Sequence, residues 1–564
     1  MASAHENQDQ PTRDPQKAES ALSDISPADS IRSHREFVHY ASGEGDDRRV
    51  LKTQKDVQDS RIPASKQHDS KAHMKGGAED ANAEGGVESI FSQINSVAEF
   101  FHIKEVPSYG NNFFFTIGVY LLGIFAILAV TGMLLLVFGP VWGDTPGLGN
   151  FVLSIHLWAA MAFVTLIFVH LFVNFSTSMF KHRKLIWMIG SVMLMIVLLE
   201  FAFGASLPGS FLAQVNARAG ADLWNGMGLG FWINPLNAGA VLGWHVAVIP
   251  LLLVGLIFMH YMLVKHHGMS KPYRNDIPYG IVPVDHNVMA KRMVYVIAVI
   301  LIFAIFLRAP GNSESPPMTT QSFAISTPNG FATTLMTEFN YTSETATYLD
   351  TIDPYTFSTR NVYVETPYLE YINTTHDVNE LNVFNAETPY EQNASMANAS
   401  AYFAANGTLS GAVNSSDPLT SVIGTLTNIA QKGLYGPILQ SETASGINQT
   451  YTLLFLSDSQ AFDNLTTASG LQDSEWGMLK LGNTWWQTGI QYWLVPYNLM
   501  QIATAGIPWW NDIENGTVAV VAFILLMFLP YIPGLRDIPD RLKLYKLFWN
   551  RYTIPELRDK KNGR

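Results

Sequence analysis

Six long apolar runs dominate the chain from residue 112 onward. Each reaches or approaches the ~20 residues that an α-helix needs to cross the hydrocarbon core of a bilayer. The runs are 112–138, 152–175, 185–205, 238–264, 293–307 and 517–532. The pattern therefore predicts an all-α transmembrane bundle of about six spans.

Basic residues are concentrated in every second loop between these runs. Lys181, Arg183 and Lys184 separate the second and third runs, whereas loop 139–150 contains no Lys or Arg and loop 207–237 contains only Arg218. Cytoplasmic loops carry the excess of Lys and Arg in membrane proteins. The pattern therefore predicts a multi-pass protein of the plasma membrane, with both termini cytoplasmic and residues 309–515 extracellular.

The chain begins with a polar segment, and residues 1–90 contain 12 Lys or Arg and 17 Asp or Glu. Such a segment buries too little apolar surface to offset its chain entropy, so residues 1–88 are predicted to be a disordered cytoplasmic tail. Apolar residues recur at helical spacing over 89–104. This spacing predicts a short amphipathic helix on the membrane surface.

A long polar insertion separates the fifth and sixth runs. It is rich in Thr, Ser, Asn and Tyr, and it contains eight Asn-x-Ser/Thr acceptor sequences, at Asn340, Asn373, Asn393, Asn398, Asn406, Asn414, Asn448 and Asn464. This composition also produces such sequences by chance, but their absence from the polar tail favours a glycosylated outer domain. Because a structureless loop of this length is uncommon in a compact protein, residues 309–489 are predicted to form an inserted, β-rich domain.

The absence of cysteine and the net charge exclude several kinds of site and partner. The 564 residues include no Cys, which excludes disulfides, Cys-ligated iron–sulfur clusters, thioether-attached haem and a thiol nucleophile within this chain. The net charge of −12 comes from the tail and the insertion rather than from the surface of the bundle. No nucleic-acid partner is therefore expected.

Four histidines lie inside apolar runs, His156 and His170 in the second and His245 and His260 in the fourth. An ionisable side chain within a bilayer is costly and indicates function. A separation of 14 residues places two side chains on one helix face about 21 Å apart, and a separation of 15 does so if the helix adjusts near Pro250. Two such helices could clamp two haem b groups by bis-imidazole ligation. The alternative is four packed histidines bonded to carbonyls, which their pairing by depth disfavours.

Glycines repeat the same period. Gly118 and Gly132 are 14 residues apart in the first run, as are Gly190 and Gly204 in the third. A flat cofactor that lies against a helix requires a residue without a Cβ at its depth, and two cofactors require two. Glycine also marks ordinary helix contacts in membranes, so the shared spacing is the informative feature.

The chain resembles cytochrome b of the Rieske/cytochrome b complexes, and its first half is most similar to cytochrome b6. The motifs that carry the resemblance are His-x13-His, His-x14-His, the paired glycines, SIHLW around His156, WMIG at 187–190, GASLP at 204–208 and the proline five residues after His245. The likeness covers about 90–308 and resumes at about 491–551. It implies a surface helix with a five-span di-haem domain over 89–308, then a quinol-site-like segment, a sixth span and a cytoplasmic tail over 490–564.

The resemblance implies two non-covalent haem b groups, an outer one between His156 and His245 and an inner one between His170 and His260. The glycines that it places against them are Gly118, Gly132, Gly190 and Gly204. It further implies quinol oxidation at the outer face, with one electron passing to a Rieske iron–sulfur partner and the other crossing the haems to an inner quinone. The implied assembly is a respiratory quinol-cytochrome c reductase-like, proton-translocating, dimeric complex that is embedded in lipid and includes a cytochrome or other acceptor subunit.

The chain departs from the family at three positions. Arg is usual three residues before the first ligand and common three residues after the second, where this chain has Leu153 and Val173. The partners of the haem propionates are therefore open. The quinol-oxidation motif Pro-Glu-Trp-Tyr is missing, and the resemblance aligns Gln491, Tyr492 and Trp493 with it. Gln cannot take a proton near neutral pH, so these residues form either a quinol-oxidation site or an interfacial aromatic belt.

Near the inner face, Lys265 lies where the family has a basic or histidine residue close to its quinone, and His266 and Asp285 are nearby in sequence. A quinone takes up protons as it is reduced, which gives a cationic or titratable group a role there. The other interpretation is an ordinary cluster of cytoplasmic charges.

Two further functions fit parts of the sequence. A di-haem anchor that relays electrons between an outer dehydrogenase and quinone requires the four histidines, but neither GASLP nor a Rieske partner. A glycosylated surface protein held by a membrane bundle accounts for the insertion and leaves the histidines without a role.

Overall fold

The computed structural model describes most of the chain after residue 102. The predicted tail and all but the last two residues of the predicted surface helix lie outside the described residues. The described ranges are 103–207, 209–226, 228–230, 232–268, 279–309, 316–348, 357–375, 379–441, 448–471, 476–481, 486–507, 510 and 512–549.

Six of the described helices are long and apolar enough to cross a membrane, which confirms the six predicted spans and a multi-pass membrane protein. We number them first to sixth: Phe113–Phe138, Leu148–Ser176, Lys184–Ser206, Ala238–His267, His286–Phe306 and Glu514–Tyr531. Polar side chains start two of them. Asn112 accepts a hydrogen bond from the Phe114 amide, and Asp285 accepts one from the Val288 amide, so each satisfies a free N–H of a first helical turn.

The fourth span changes its helical pitch at the first of its histidines. It is α-helical over Ala238–Gly243, π-helical over Trp244–Val248 and α-helical again over Ile249–His267. Pro250 has no N–H to donate within the helix, and the wider π turn absorbs one extra residue. The 15-residue separation in this span therefore acts like the 14-residue separation in the second, as the spacing requires.

The first five spans enclose a common apolar core. Its buried residues are Ile124, Ala159, Phe163, Val164, Val197, Phe203, Val241, Ile249, Leu253 and Ile300. Hydrogen bonds fasten the end of the fifth span to the second, because the Trp158 indole donates to the Leu307 carbonyl at 2.6 Å and the Ala309 amide donates to Ser154 Oγ at 2.8 Å. These contacts set the depth of the second span against its neighbours.

The chain after the sixth span docks on the loop between the second and third spans. Lys181 Nζ lies 2.8 Å from Asp537 and 2.7 Å from Asp540. Next to this contact, the Trp187 indole of the third span donates to the Leu526 carbonyl of the sixth span at 2.7 Å. The end of the bundle that carries most of the basic loops is thus closed by the C-terminal segment.

The described residues of the insertion form helices, so the prediction of a β-rich domain is wrong. Its helices are Thr320–Ser326, Pro328–Phe339, Glu344–Tyr348, Asn361–Glu365 (π), Thr366–Thr375, Glu380–Ala386, Pro389–Ala404, Leu409–Val413, Pro418–Gln431, Tyr435–Ser441, Thr450–Ser457 and Gln460–Ala468. Several of the polar residues of the insertion lie at helix starts. Thr388, Thr408, Asp417 and Ser459 each accept a hydrogen bond from the first turn of the helix that follows. These side chains satisfy helical N–H groups as readily as they form turns.

Short elements complete the described structure. The strands Glu105–Pro107 and Ile281–Pro283 pair antiparallel. The sixth span consists of the α-helix Asp512–Phe528 and the 3-10 turn Leu529–Tyr531. The remaining helices are Ser108–Asn111, Pro140–Asp144, Met179–Lys181, Phe211–Gly226, Gly477–Leu479, Tyr492–Leu494, Val495–Thr504, Leu535–Asp537, Ile538–Arg541 and Leu544–Leu547. Phe211 and Leu212, in the helix that follows the third span, belong to the apolar core of the insertion. The insertion therefore packs at the end of the bundle nearer His156 and His245.

Candidate functional site

One predicted histidine pair, His156 and His245, which we call the outer pair, meets between the second and fourth spans. The centres of the two imidazole rings are 6.2 Å apart, and their planes are inclined by 77°. Two metal–imidazole bonds of roughly 2 Å, with roughly 1 Å from each ring nitrogen to its ring centre, give about 6 Å. The spacing is that of two rings that share one metal ion.

Neighbouring groups orient both rings. Thr131 Oγ1 lies 2.9 Å from Nδ1 of His156 and itself donates to the Ile127 carbonyl at 2.7 Å. Its oxygen therefore accepts from Nδ1–H of the ring. Nδ1 of His245 lies 3.2 Å from the Glu200 carbonyl oxygen and 3.1 Å from Glu200 Oε1, which are both acceptors. In each ring the proton is held on Nδ1, and Nε2 is free to ligate.

Glu200 is a site residue that the sequence analysis missed. Its carboxylate lies inside the third span, and Oε2 is buried without a hydrogen bond in the described structure. The signal was available, because Glu200 is the one acidic residue in the apolar run 185–205. A lone carboxylate at membrane depth indicates a specific partner, and the fold shows that partner to be His245.

The other predicted pair, His170 and His260, which we call the inner pair, lines a single cavity of about 320 Å³. Its wall is mainly apolar and includes Gly118 and Gly190. An apolar cavity lined by two imidazoles is suited to a flat, hydrophobic, metal-containing cofactor.

Each of the four predicted glycines lies beside one of the four histidines. A Cβ added at Gly204 would come 2.7 Å from Cε1 of His245, and one at Gly132 would come 3.2 Å from Cε1 of His156. At Gly190 and Gly118 the corresponding distances, to His260 and His170, are 3.7 and 4.0 Å. Cε1 is bonded to Nε2, so the glycines leave space next to the nitrogens that would hold iron. The donor set of both pairs fits bis-histidine ligation of haem, and at the inner pair the cavity provides space for it.

The segment predicted to meet quinol folds back against the second and third spans. The Tyr492 hydroxyl donates to Thr165 Oγ1 at 2.9 Å, and the rings of Trp493 and Phe201 are 4.8 Å apart. Gln491 is 6% exposed, and its amide nitrogen donates to the Lys480 carbonyl at 2.9 Å. The three residues therefore lie together beside the bundle, and Gln491 braces the backbone that precedes them.

The residues predicted for an inner quinone site, Lys265, His266 and Asp285, lie at the end of the fourth span and the start of the fifth. The Asp285 carboxylate caps the fifth span, and His266 is exposed with its ring 4.9 Å from that of His267. Lys265 is half-buried at the end of the fourth span. None of the three is among the described residues that line the inner cavity, which instead reaches Arg183, a residue that the sequence analysis counted only as a loop charge.

Residues 161–317 match the protein family described as cytochrome b (N-terminal)/b6/petB. The chain is 32% identical to the cytochrome b subunit of the cytochrome bc1 complex of Mycobacterium tuberculosis over an alignment of 166 residues. This alignment covers 27% of this chain and 29% of that protein. It is 28% identical over 212 residues to the cytochrome b subunit of the cytochrome bc complex of Chlorobaculum thiosulfatiphilum, 33% of this chain and 49% of that protein. It is 26% identical over 205 residues to cytochrome b6 of Heliobacterium mobile, 32% of this chain and 95% of that protein.

The matched family range contains His170, His245 and His260, and His156 lies five residues before it. The chain spans under a third of the mycobacterial relative and about half of the Chlorobaculum relative. The similarity is therefore one of the membrane-spanning part, and the insertion lies mostly outside it.

Proposed function

We propose that the protein is the cytochrome b subunit of a respiratory quinol-oxidising complex, because residues 161–317 match the cytochrome b (N-terminal)/b6/petB family. In this proposal, membrane quinol is oxidised at the face that carries the insertion. Electrons then cross the bundle from the outer to the inner histidine pair and reach a quinone near the opposite face, with translocation of protons.

The observation that carries the proposal is the pairing of four histidines with four glycines at two depths of one bundle. The outer and inner pairs would each hold one haem b, which supplies one-electron transfer when bound. Thr131 and Glu200 hold the outer imidazoles in the tautomer that presents Nε2. The apolar spans keep water from the site, and the glycines provide the close approach that a flat group requires.

The oxidation step is proposed to occur beside the segment 486–493. Aromatic side chains there pack against the outer half of the bundle, and Trp486 and Trp158 have ring centres 5.4 Å apart. In this role Tyr492 and Trp493 would form an aromatic wall for a quinol ring, while the carboxamide of Gln491 keeps the backbone in place. Gln491 cannot accept a proton near neutral pH, so the proton acceptor is a different group.

The partners follow from the same proposal. Relatives of this chain are subunits of bc and bc1 complexes, and we propose a Rieske-type iron–sulfur protein and a further electron acceptor as the subunits of a dimeric assembly. The low basic content of the insertion, with Arg360, Lys432 and Lys480 as its basic residues, supports an external location for it.

Reduced-minus-oxidised absorbance of the purified chain tests the haem content, and two haem b per chain are expected. Absence of haem b absorbance bands from the purified chain would contradict the proposal and leave the protein without a redox role. Co-purification of a Rieske protein together with quinol-dependent haem reduction separates the proposal from the di-haem anchor. Such an anchor would be reduced by an outer dehydrogenase and would have no Rieske partner.

A further inference from the structure

A haem b group carries two carboxylates, and a buried carboxylate requires a cationic or hydrogen-bonding partner. An Arg three residues after the second histidine is common in the family that this chain resembles, and this chain has Val173 there. Val173 is 1% exposed and lines the inner cavity. An apolar residue therefore occupies the position from which the charge is expected.

Arg183 lines the same cavity from the start of the third span. It is the one residue with a permanent charge among the described residues of the lining, and no Asp or Glu is among them. Nη2 of Arg183 donates to the His267 carbonyl at 2.5 Å, which ties the guanidinium to the end of the fourth span. Its Nε is buried and has no hydrogen-bond partner in the described structure. The guanidinium thus retains a donor at the cavity.

The cations next to Arg183 in sequence are engaged elsewhere. Lys181 is paired with Asp537 and Asp540. Lys184 lies over the ring of Tyr531, with Nζ 4.5 Å from its centre. Neither lysine is among the residues that line the inner cavity. The charge of this loop that is directed to the cofactor space is therefore that of Arg183.

We propose that Arg183 binds a carboxylate of the inner haem and replaces, from the third span, the Arg that the second span lacks at Val173. This inference rests on the proposed function, since it requires haem at the inner pair. A positive charge beside the haem favours the reduced state, which carries one electron more. Arg183 therefore raises the midpoint potential of the inner haem relative to the outer one, which directs electrons inward.

The test is a redox titration of the full-length chain, with the two haems resolved by absorbance. Arg183→Gln is expected to shift the midpoint potential of the inner haem to more negative values and to leave that of the outer haem unchanged. In Arg183→Lys the midpoint potential of the inner haem should stay close to that of the wild type, because lysine retains the positive charge. The matched control, Lys184→Gln, removes a neighbouring cation outside the cavity and should shift neither haem.

A rescue variant distinguishes the effect of the lost charge from a general loss of structure. In Arg183→Gln combined with Val173→Arg, the charge returns from the position usual in the family, and the inner midpoint potential should rise again. An inner potential that is the same in the wild type and in Arg183→Gln would overturn the inference, while two bound haems would leave the proposed function intact. Absence of haem at the inner pair in the wild type would overturn both.

Discussion

Replacing Glu338 by Gln is expected to remove most of the pH dependence of the stability of the insertion. Glu338 is completely buried, at 0% exposed, near the end of helix Pro328–Phe339. The Ser343 hydroxyl donates to its Oε2 at 2.6 Å, and the carboxyl of Asp458 is its neighbour. Burial, with the adjacent Asp458 carboxyl, raises the pKa of Glu338 from 4.5 to about 10.

The direction of the effect follows from the two states of the chain. The unfolded chain loses this proton near pH 4.5, and the folded chain holds it until near pH 10. The contribution of the protonated Glu338 carboxyl to the stability of the folded insertion is therefore complete below pH 4.5. It is lost as the pH rises toward the pKa of the folded state. A single proton changes the free energy of unfolding by about 1.4 kcal/mol per pH unit, so the insertion should lose about 3 kcal/mol between pH 4.5 and pH 7.

Hydrogen exchange of peptides from residues 328–339, corrected for the pH dependence of intrinsic exchange, measures this free energy in the full-length protein. In Glu338→Gln the carboxamide oxygen still accepts from Ser343 but the group does not titrate, so the decrease between pH 4.5 and pH 7 should largely disappear. Glu344→Gln, which changes an exposed carboxylate of the same region, should keep the wild-type slope. Equal slopes in the wild type and in Glu338→Gln would refute the reasoning.

Three further predictions concern the membrane-spanning site. Replacing either histidine of the outer pair by Ala should remove one haem and leave the other spectroscopically intact, and the inner pair should behave in the complementary way; retention of both haems in any such variant contradicts the ligand assignment. Gly204→Ala should displace the His245 ring and reduce outer-haem occupancy, because its Cβ would lie 2.7 Å from that ring. Gly118→Ala should retain most of the inner haem, because its Cβ would lie 4.0 Å from His170. Haem stoichiometry measures both occupancies, and equal losses in the two variants would contradict the packing argument. Gln491→Glu should raise quinol oxidation at unchanged haem content, increasingly so as the external pH rises, because a buried carboxylate ionises above its ordinary range; a rate that is flat across that pH range leaves Gln491 as a structural residue only.

The sequence pattern predicts correctly those features that depend on residues close together in the chain. The length of an apolar run sets whether a helix can cross a bilayer. Five of the six predicted spans are helices within four residues of the predicted bounds, and the fifth begins at His286, seven residues earlier than predicted. Helical periodicity similarly predicts which residues of one span share a face. For that reason the outer and inner pairs could be proposed before any contact was known, and the π turn at Trp244–Val248 supplies the adjustment that the 15-residue spacing demands.

The insertion shows where local pattern fails. Thr, Ser and Asn occur in turns, in strands and at helix starts, and their side chains do not distinguish these roles. What decides is whether apolar residues of a segment can reach a shared core. In the insertion, residues such as Phe331, Leu335 and Phe339 repeat at helical spacing and pack together, and Phe211 from another part of the chain joins them.

The six spans, the depth of the four histidines and the likeness to cytochrome b can be predicted from the amino-acid sequence, because they depend on spacing along single segments. Only the tertiary structure brought Glu200 to His245, Thr131 to His156, and Arg183 to the inner cavity. Each of these contacts joins two different spans or a loop and a span. The rotation and depth of one helix against another follow from the packing of the entire bundle, and no local pattern records them.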